Sequence, residues 1–175
     1  MVRPAGKADR LDPRLAPART PEDLGTIRTL FREYLDQLGV DLKFQGVEAE
    51  LVQLPGKYRP PAGDLLLART AGGEPLGCVG IRPLDLPGTC EVKRLYVRPA
   101  GRGTGIGRAL AAAAVEIASA SGYGQVVLDT LASMTAAISV YRSLGFEPIP
   151  AYWNNILPGV IYFGKRLAAV SDHPG

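Results

Sequence analysis

The 175-residue chain is predicted to fold as a mixed α/β domain of the α+β kind, with a mostly antiparallel central sheet flanked by helices. Three features predict it. A capped amphipathic helix opens the folded part. Three strand-like segments joined by two tight turns follow it, which is the pattern of a meander. The second half then runs strand, helix, strand, helix, strand. A meander followed by so few crossovers argues against a doubly wound parallel sheet.

The elements are read in order. Residues 1–14 are basic and Pro-rich and are expected to form a disordered arm, leading into a short strand near Leu15–Ala18. Thr20-Pro21-Glu22-Asp23 starts a helix: Thr20 can cap, Pro21 suits the first helical position, and the acids suit the positive helix end. Leu24, Ile27, Phe31, Tyr34, Leu35 and Leu38 then recur at three and four spacing, and Gly39 stops the helix. A second, weaker helix covers Val47 to Leu54. Strands are expected over Asp64–Arg69, Leu76–Pro83 and Thr89–Val97, separated by Ala71–Pro75 and Leu84–Gly88. A Gly-rich loop from Pro99 to Gly107 precedes an Ala-rich helix carrying Ile106, Leu110, Ala114, Ile117 and Ala118. Gln125–Thr130 reads as a buried strand and Ser133–Leu144 as a helix stopped by Gly145. Phe146–Leu167 reads as strands around a polar loop at Tyr152–Asn155. Residues 15–169 form one expected domain, and 170–175 a tail.

Composition narrows the function classes. The hydrophobic share is 46%, so disorder from low hydrophobicity is excluded for most of the chain, although Gly (21) and Pro (15) are both abundant. The formal charge is +3. The positive charge is concentrated in the N-terminal arm and between Glu91 and Arg108, where Lys93, Arg94, Arg98, Arg102 and Arg108 face one acid. That is too little, and too poor in aromatic-basic patterning, for a nucleic-acid-binding module. Cys78 and Cys90 fit neither a disulfide scaffold nor a CxxC metal site and are expected as buried thiols. His173 is the only histidine, which disfavours a His-based triad or a multi-His metal site, and no metal is expected. No apolar run spans a membrane and no apolar leader is present, so a cytoplasmic protein is expected.

The strongest local motif is Arg98-Pro99-Ala100-Gly101-Arg102-Gly103-Thr104-Gly105-Ile106-Gly107-Arg108. It follows a strand and opens a helix. Glycines let backbone N–H groups approach a ligand, and the helix N-terminus adds partial positive charge. Three arginines, Arg98, Arg102 and Arg108, stand in the motif, so a phosphate-bearing ligand is implied. A Walker loop requires Gly-Lys-Ser/Thr, which is absent. The dinucleotide fingerprint fails too, because Ile106, Arg108 and Leu110 occupy the positions that need Gly or Ala.

What remains, Arg102-x-x-Gly105-x-Gly107 after Leu95-Tyr96-Val97-Arg98-Pro99, resembles the GNAT superfamily of acyl-CoA-dependent N-acyltransferases. A second block of that family, Ala-x-x-x-Tyr-x-x-x-Gly-Phe, stands as Ala137, Tyr141, Gly145 and Phe146. The resemblance implies a mixed sheet split by a V-shaped opening that holds acetyl-CoA as co-substrate. It implies cofactor contacts from Leu95, Tyr96, Val97, Arg102, Gly103, Thr104, Gly105, Ile106, Gly107 and Arg108, with the Val97 N–H stabilising the oxyanion. Tyr141 matches the tyrosine that protonates the departing thiolate. The acceptor is then a primary amine, of a small molecule or a peptide, acetylated directly in a ternary complex.

Such an amine must first lose a proton, so a base is expected. Two acids qualify. Asp129 lies in the strand before the Tyr141 helix. Glu91 lies early in the Thr89–Val97 strand and, by strand alternation, faces the way Lys93 and Leu95 face. Lys93 and Arg94 offer either acid a salt-bridge partner. Tyr152, Asn154 and Asn155 are candidate acceptor contacts. One departure stands out: where many members carry an Asn that touches the pantetheine arm, this chain has Met134. Two further expectations attach to the resemblance: a homodimer, and, as the competing reading, a non-catalytic acyl-CoA sensor on the same fold.

Overall fold

The Thr20 hydroxyl accepts a hydrogen bond from the Asp23 N–H (3.1 Å), and the Asp23 carboxylate accepts one from the Thr20 N–H (3.2 Å). This reciprocal cap begins α1 (Pro21–Leu38), which Gly39 ends at φ +63°. In the computed structural model, which describes residues 13–168, α1 follows β1 (Arg14–Pro17). The remaining elements are α2 (Val47–Gln53), β2 (Asp64–Arg69), β3 (Pro75–Pro83), β4 (Thr89–Val97), α3 (Ile106–Ala120), β5 (Gln125–Leu131), α4 (Thr135–Ser143), β6 (Glu147–Pro148) and β7 (Val160–Arg166). Residues 1–12 of the expected arm, and the tail at 170–175, lie outside the described residues. Arg14, assigned to the arm from sequence, is already in the sheet and pairs with Arg69.

The seven strands are ordered β1-β2-β3-β4-β5-β7-β6. Every adjacent pair is antiparallel except β4 and β5. Helices cover both faces. On one, Val79, Ile81, Val92, Leu128 and Phe163 pack with Ile106, Leu110 and Ala114 of α3 and Tyr141 of α4. On the other, Leu65, Leu67, Cys78 and Tyr96 pack with Ile27, Leu30 and Phe31 of α1 and Leu51 of α2. Full burial of each large side chain such as Phe31 contributes about 1.5–3 kcal/mol. Gly77 lets the Ala-rich α3 sit close to the sheet: a Cβ there would stand 2.6 Å from the Tyr96 carbonyl oxygen and 3.2 Å from Leu110. Both cysteines are buried and free. Burial pushes the Cys90 thiol up to about 12 and the Cys78 thiol higher.

Two irregularities shape the site. The parallel pairing of β4 with β5 covers only Thr89–Glu91 against Gln125–Val127. Beyond it the two strands diverge, and Leu128–Leu131 pair with β7 alone. This divergence is the V-shaped opening.

The second irregularity is a bulge in β4. Gly80 pairs with Lys93 but Cys78 pairs with Tyr96, so β4 takes three steps where β3 takes two. Arg94 sits in the bulge at φ +59°, the one non-glycine residue with positive φ among the described residues. The extra residue breaks strand alternation. Leu95 packs against the α3 face, whereas Glu91 and Lys93 point to the other side, toward Arg82 and Asp129. The expectation that Leu95 shares a face with Glu91 is therefore corrected, and the extra residue is the reason.

α4 also begins at Thr135 rather than Ser133, because Leu131–Ser133 close a turn in which the Leu131 carbonyl accepts the Met134 N–H (2.9 Å). β6 is only two residues long; Pro148 offers no N–H, and the Ile149 N–H donates to the Tyr162 carbonyl of β7 (3.0 Å).

Candidate active site

The glycine loop leaves β4 through one 3₁₀ turn at Pro99–Gly101 and reaches α3 by two left-handed glycines, Gly103 (φ +72°) and Gly105 (φ +85°). Nothing lies within 4 Å of where a Cβ would stand on either one. Gly105 caps α3 without a side chain, so the first-turn N–H groups of α3 face outward. Arg98 and Glu33 form a two-pronged pair (2.6 and 2.9 Å) that ties the loop to α1. Arg98 holds the Glu33 carboxyl below the usual carboxylate range. Arg102 donates to the Val97 carbonyl (3.1 Å) and to Gln37 (3.0 Å).

This loop forms one end of a groove of about 660 Å³. Leu95, Tyr96 and Val97 of β4 line it, with Arg102, Gly103, Gly105, Ile106, Gly107 and Arg108 from the loop and Met134, Ala137 and Val140 from the α4 side. Every cofactor contact expected from sequence is here except Thr104, whose hydroxyl instead donates to the Gly101 carbonyl. An open backbone, a helix N-terminus and loop arginines at the mouth of a long apolar groove fit a pyrophosphate joined to a pantetheine arm. Met134, at the position of the usual Asn, is an apolar part of the groove wall.

A second, small cavity of about 50 Å³ adjoins the groove. The two share Tyr34, Leu38, Leu95, Leu131 and Met134 as walls. Lys93, Arg94, Asp129, Tyr141 and Asn155 line the small cavity. Tyr141 is 6% exposed, and its ring lies 5.7 Å from that of Phe146. Its hydroxyl makes no hydrogen bond among the described residues. Burial raises its pKa, with Tyr34 and Asp129 adding to the effect.

Residues 27–146 match the sequence model described as the acetyltransferase (GNAT) family. The chain belongs to the GNAT family. An N-acetyltransferase of Schizosaccharomyces pombe, described as uncharacterized, is 41% identical over 88% of this chain and 94% of its own length. A human N-acetylaspartate synthetase is 32% identical over 69% of this chain, which spans 40% of that protein. Among solved structures, a proposed acyl-CoA N-acyltransferase from Klebsiella pneumoniae superposes with a TM-score of 0.68 at 26% identity, over 89% of this chain and 98% of that one. A GNAT acetyltransferase from Staphylococcus aureus reaches 0.71 at 16% identity, over 89% and 99%, and shares the fold. The protein is thus an acyltransferase built on the GNAT frame.

Around and behind the small cavity this GNAT chain gathers six charged side chains, of which Glu91, Lys93 and Arg94 are buried. Asp129 accepts hydrogen bonds from Lys93 (3.2 Å), Trp153 Nε1 (2.9 Å) and Asn155 Nδ2 (3.0 Å). Burial alone would push the Asp129 carboxyl up. Lys93 and the bonds from Asn155, Lys93 and Trp153 outweigh it and hold the group below its ordinary value. Glu91, 1% exposed, pairs with Arg82 (2.8 Å), accepts the Tyr152 hydroxyl (2.5 Å) and lies 3.9 Å from Lys93. Glu50 pairs with Arg94 (3.0 Å), lies 3.9 Å from Arg82 and accepts the Tyr58 hydroxyl (2.5 Å).

Of the two candidate bases, Asp129 lines the small cavity and Glu91 lies one layer behind it. Of the candidate acceptor contacts, Tyr152 and Asn155 clasp these two carboxylates, whereas Asn154 is exposed and lies outside the network. Sequence reasoning missed Tyr34 and Glu50 as site components, placed Trp153 in the acceptor-side loop without a contact of its own, and treated Lys93 and Arg94 only as ion-pair partners. Two adjacent cations inside an otherwise buried strand were the readable signal.

Proposed function

We propose that the chain moves an acetyl group from acetyl-CoA to the primary amine of an acceptor, directly, within a ternary complex. One observation carries the reading. The groove that ends in the glycine loop meets the charged small cavity at shared walls, and Tyr141 lines that small cavity. The neutral amine nitrogen attacks the thioester carbonyl carbon. The carbon–sulfur bond breaks, Tyr141 gives its proton to the departing thiolate, and the proton that the nitrogen sheds on becoming an amide passes through solvent and restores the phenol. A phenol is protonated at neutral pH, and a thiol with a pKa near 8.5 needs modest help to leave. The Val97 N–H serves the oxyanion.

Asp129 orients the acceptor amine. A carboxylate held below its ordinary pKa is a weak proton acceptor at neutral pH, so the amine loses its proton to water before attack. With an amine pKa near 10.4, of order one molecule in a thousand is neutral at pH 7. The rate is then expected to climb with pH toward the amine pKa. The name of the N-acetylaspartate synthetases supports an amino-acid amine for those proteins. It supports a small acceptor here only as far as the shared domain extends.

The test is thiol release from acetyl-CoA across a panel of amines, with the acetylated product weighed by mass spectrometry. One N-acetyl product per thiol is expected. Binding of acetyl-CoA without product from any amine would favour a sensor.

A further inference from the structure

Resting on the acyl-transfer reading, we propose that the acceptor is a small amine that also bears a carboxylate, and that Arg94 in the small cavity binds that carboxylate. Arg94 is held by the β4 bulge, and its side chain is 5% exposed. Its Nε (3.2 Å) and Nη2 (3.0 Å) are taken by Glu50 Oε2, and Nη2 also reaches Gln45 Oε1 (3.4 Å). Nη1, with two hydrogens, has no partner among the described residues, yet Arg94 lines the cavity. A guanidinium presents two edges. The Nε–Nη2 edge is committed to Glu50 and Nη2 also reaches Gln45, so Nη1 is the donor left to a planar anion.

The charges agree. The titratable groups that face Arg94 are Glu50 and Tyr58 from the α2 side and Tyr34 from α1, and the cavity wall adds Lys93 and Asp129. Counting side chains on the wall itself, Lys93 and Arg94 oppose Asp129 alone. With Glu50, Glu91 and Arg82 behind the wall, three cations face three acids. An amine that carries its own carboxylate enters this balanced cluster as a net-neutral zwitterion, sets the carboxylate on Arg94 and leaves its nitrogen toward the groove. The size agrees as well: about 50 Å³ admits a short polar end, not a bulky chain.

The bulge explains why an arginine is kept at a positive φ. A residue in regular alternation there would turn to the α3 face, where Leu95 now packs.

The experiment compares acceptors that differ only in this group, each carboxylate against its amide (β-alanine against β-alaninamide, aspartate against asparagine and its diamide), in wild type and Arg94→Gln. The wild type is expected to favour carboxylates by about 10- to 100-fold in kcat/KM, the range of a charged hydrogen bond. Arg94→Gln is expected to collapse that ratio toward one while acetyl-CoA affinity by calorimetry stays within a few-fold. The ratio is independent of the fraction of folded enzyme. If Arg94→Gln does not fold, amine-free carboxylates such as propionate and succinate serve on the wild type, where they are expected to compete with the acceptor and not with acetyl-CoA. Equal turnover of acids and amides, or no competition by the free acids, overturns the proposal and leaves amine acetylation standing. Acetylation of no amine overturns the acyl-transfer reading itself.

Discussion

Replacing Tyr141 with Phe separates chemistry from folding unusually cleanly. The substitution removes one oxygen and keeps the ring that packs 5.7 Å from Phe146. The hydroxyl has no hydrogen-bond partner among the described residues, so its loss strands no partner. The stability change is expected below about 1 kcal/mol, a few degrees in Tm. The reaction loses its proton donor, and positioned acids contribute about 10²- to 10⁴-fold, or roughly 3–5.5 kcal/mol of barrier. Because burial raises the Tyr141 pKa, the phenol stays protonated across pH 6–10 and adds no descending alkaline limb. Its effect on stability has the same sign: nothing changes below the unfolded value near 10, and stability falls only above it. The assay is single-turnover thiol release beside thermal unfolding. An unchanged Tm with a rate down at least 100-fold is expected. Full-rate turnover with the chemical step rate-limiting would end the acid role for Tyr141.

Three other perturbations follow from the same geometry. Gly105→Ala places a Cβ at φ +85°, where it costs on the order of 1–2 kcal/mol and enters the open loop face; acetyl-CoA affinity by calorimetry is expected to fall at least tenfold. Asp129→Asn strips the nearer of two carboxylates from Lys93, whose side chain is 6% exposed and keeps Glu91 at 3.9 Å, and is expected to cost about 3 kcal/mol in denaturant unfolding. The folded Asp129 pKa lies below the unfolded value. Its stabilisation is therefore present above about pH 4 and lost as pH falls through the folded value, and the variant's stability should vary less with pH in that window. Neither Asp129→Asn nor Glu91→Gln is expected to remove an acidic limb from kcat/KM near neutral pH, since amine deprotonation sets the slope; loss of that limb in one of them would identify it as the base.

Periodicity and punctuation made most of the frame readable. The Thr20–Asp23 cap, the α1 stripe and the two meander turns are local features, and each acts within a few residues. The glycine loop was readable because its glycines mark positive φ, which Gly103 (+72°) and Gly105 (+85°) adopt without strain. The β4 bulge was not. Nothing in Lys93-Arg94-Leu95 resembles the Gly or Asn that usually marks a left-handed residue, so strand alternation carried Leu95 to the wrong face. The clasp of Trp153 and Asn155 on Asp129 joins residues 24 and 26 positions apart, and that of Tyr152 on Glu91 joins residues 61 apart. Such contacts depend on β7 returning beside β5, which no local pattern encodes. The Asp129–Lys93 pair spans diverging strands for the same reason.

The central claim is that the opening between β4 and β5 holds acetyl-CoA for transfer. Calorimetric titration of the full chain with acetyl-CoA tests it most directly. Saturable binding at one site per chain, weakening with added salt as expected for a phosphate held by a positive loop, is the predicted result. No measurable affinity for acetyl-CoA or free CoA would contradict it.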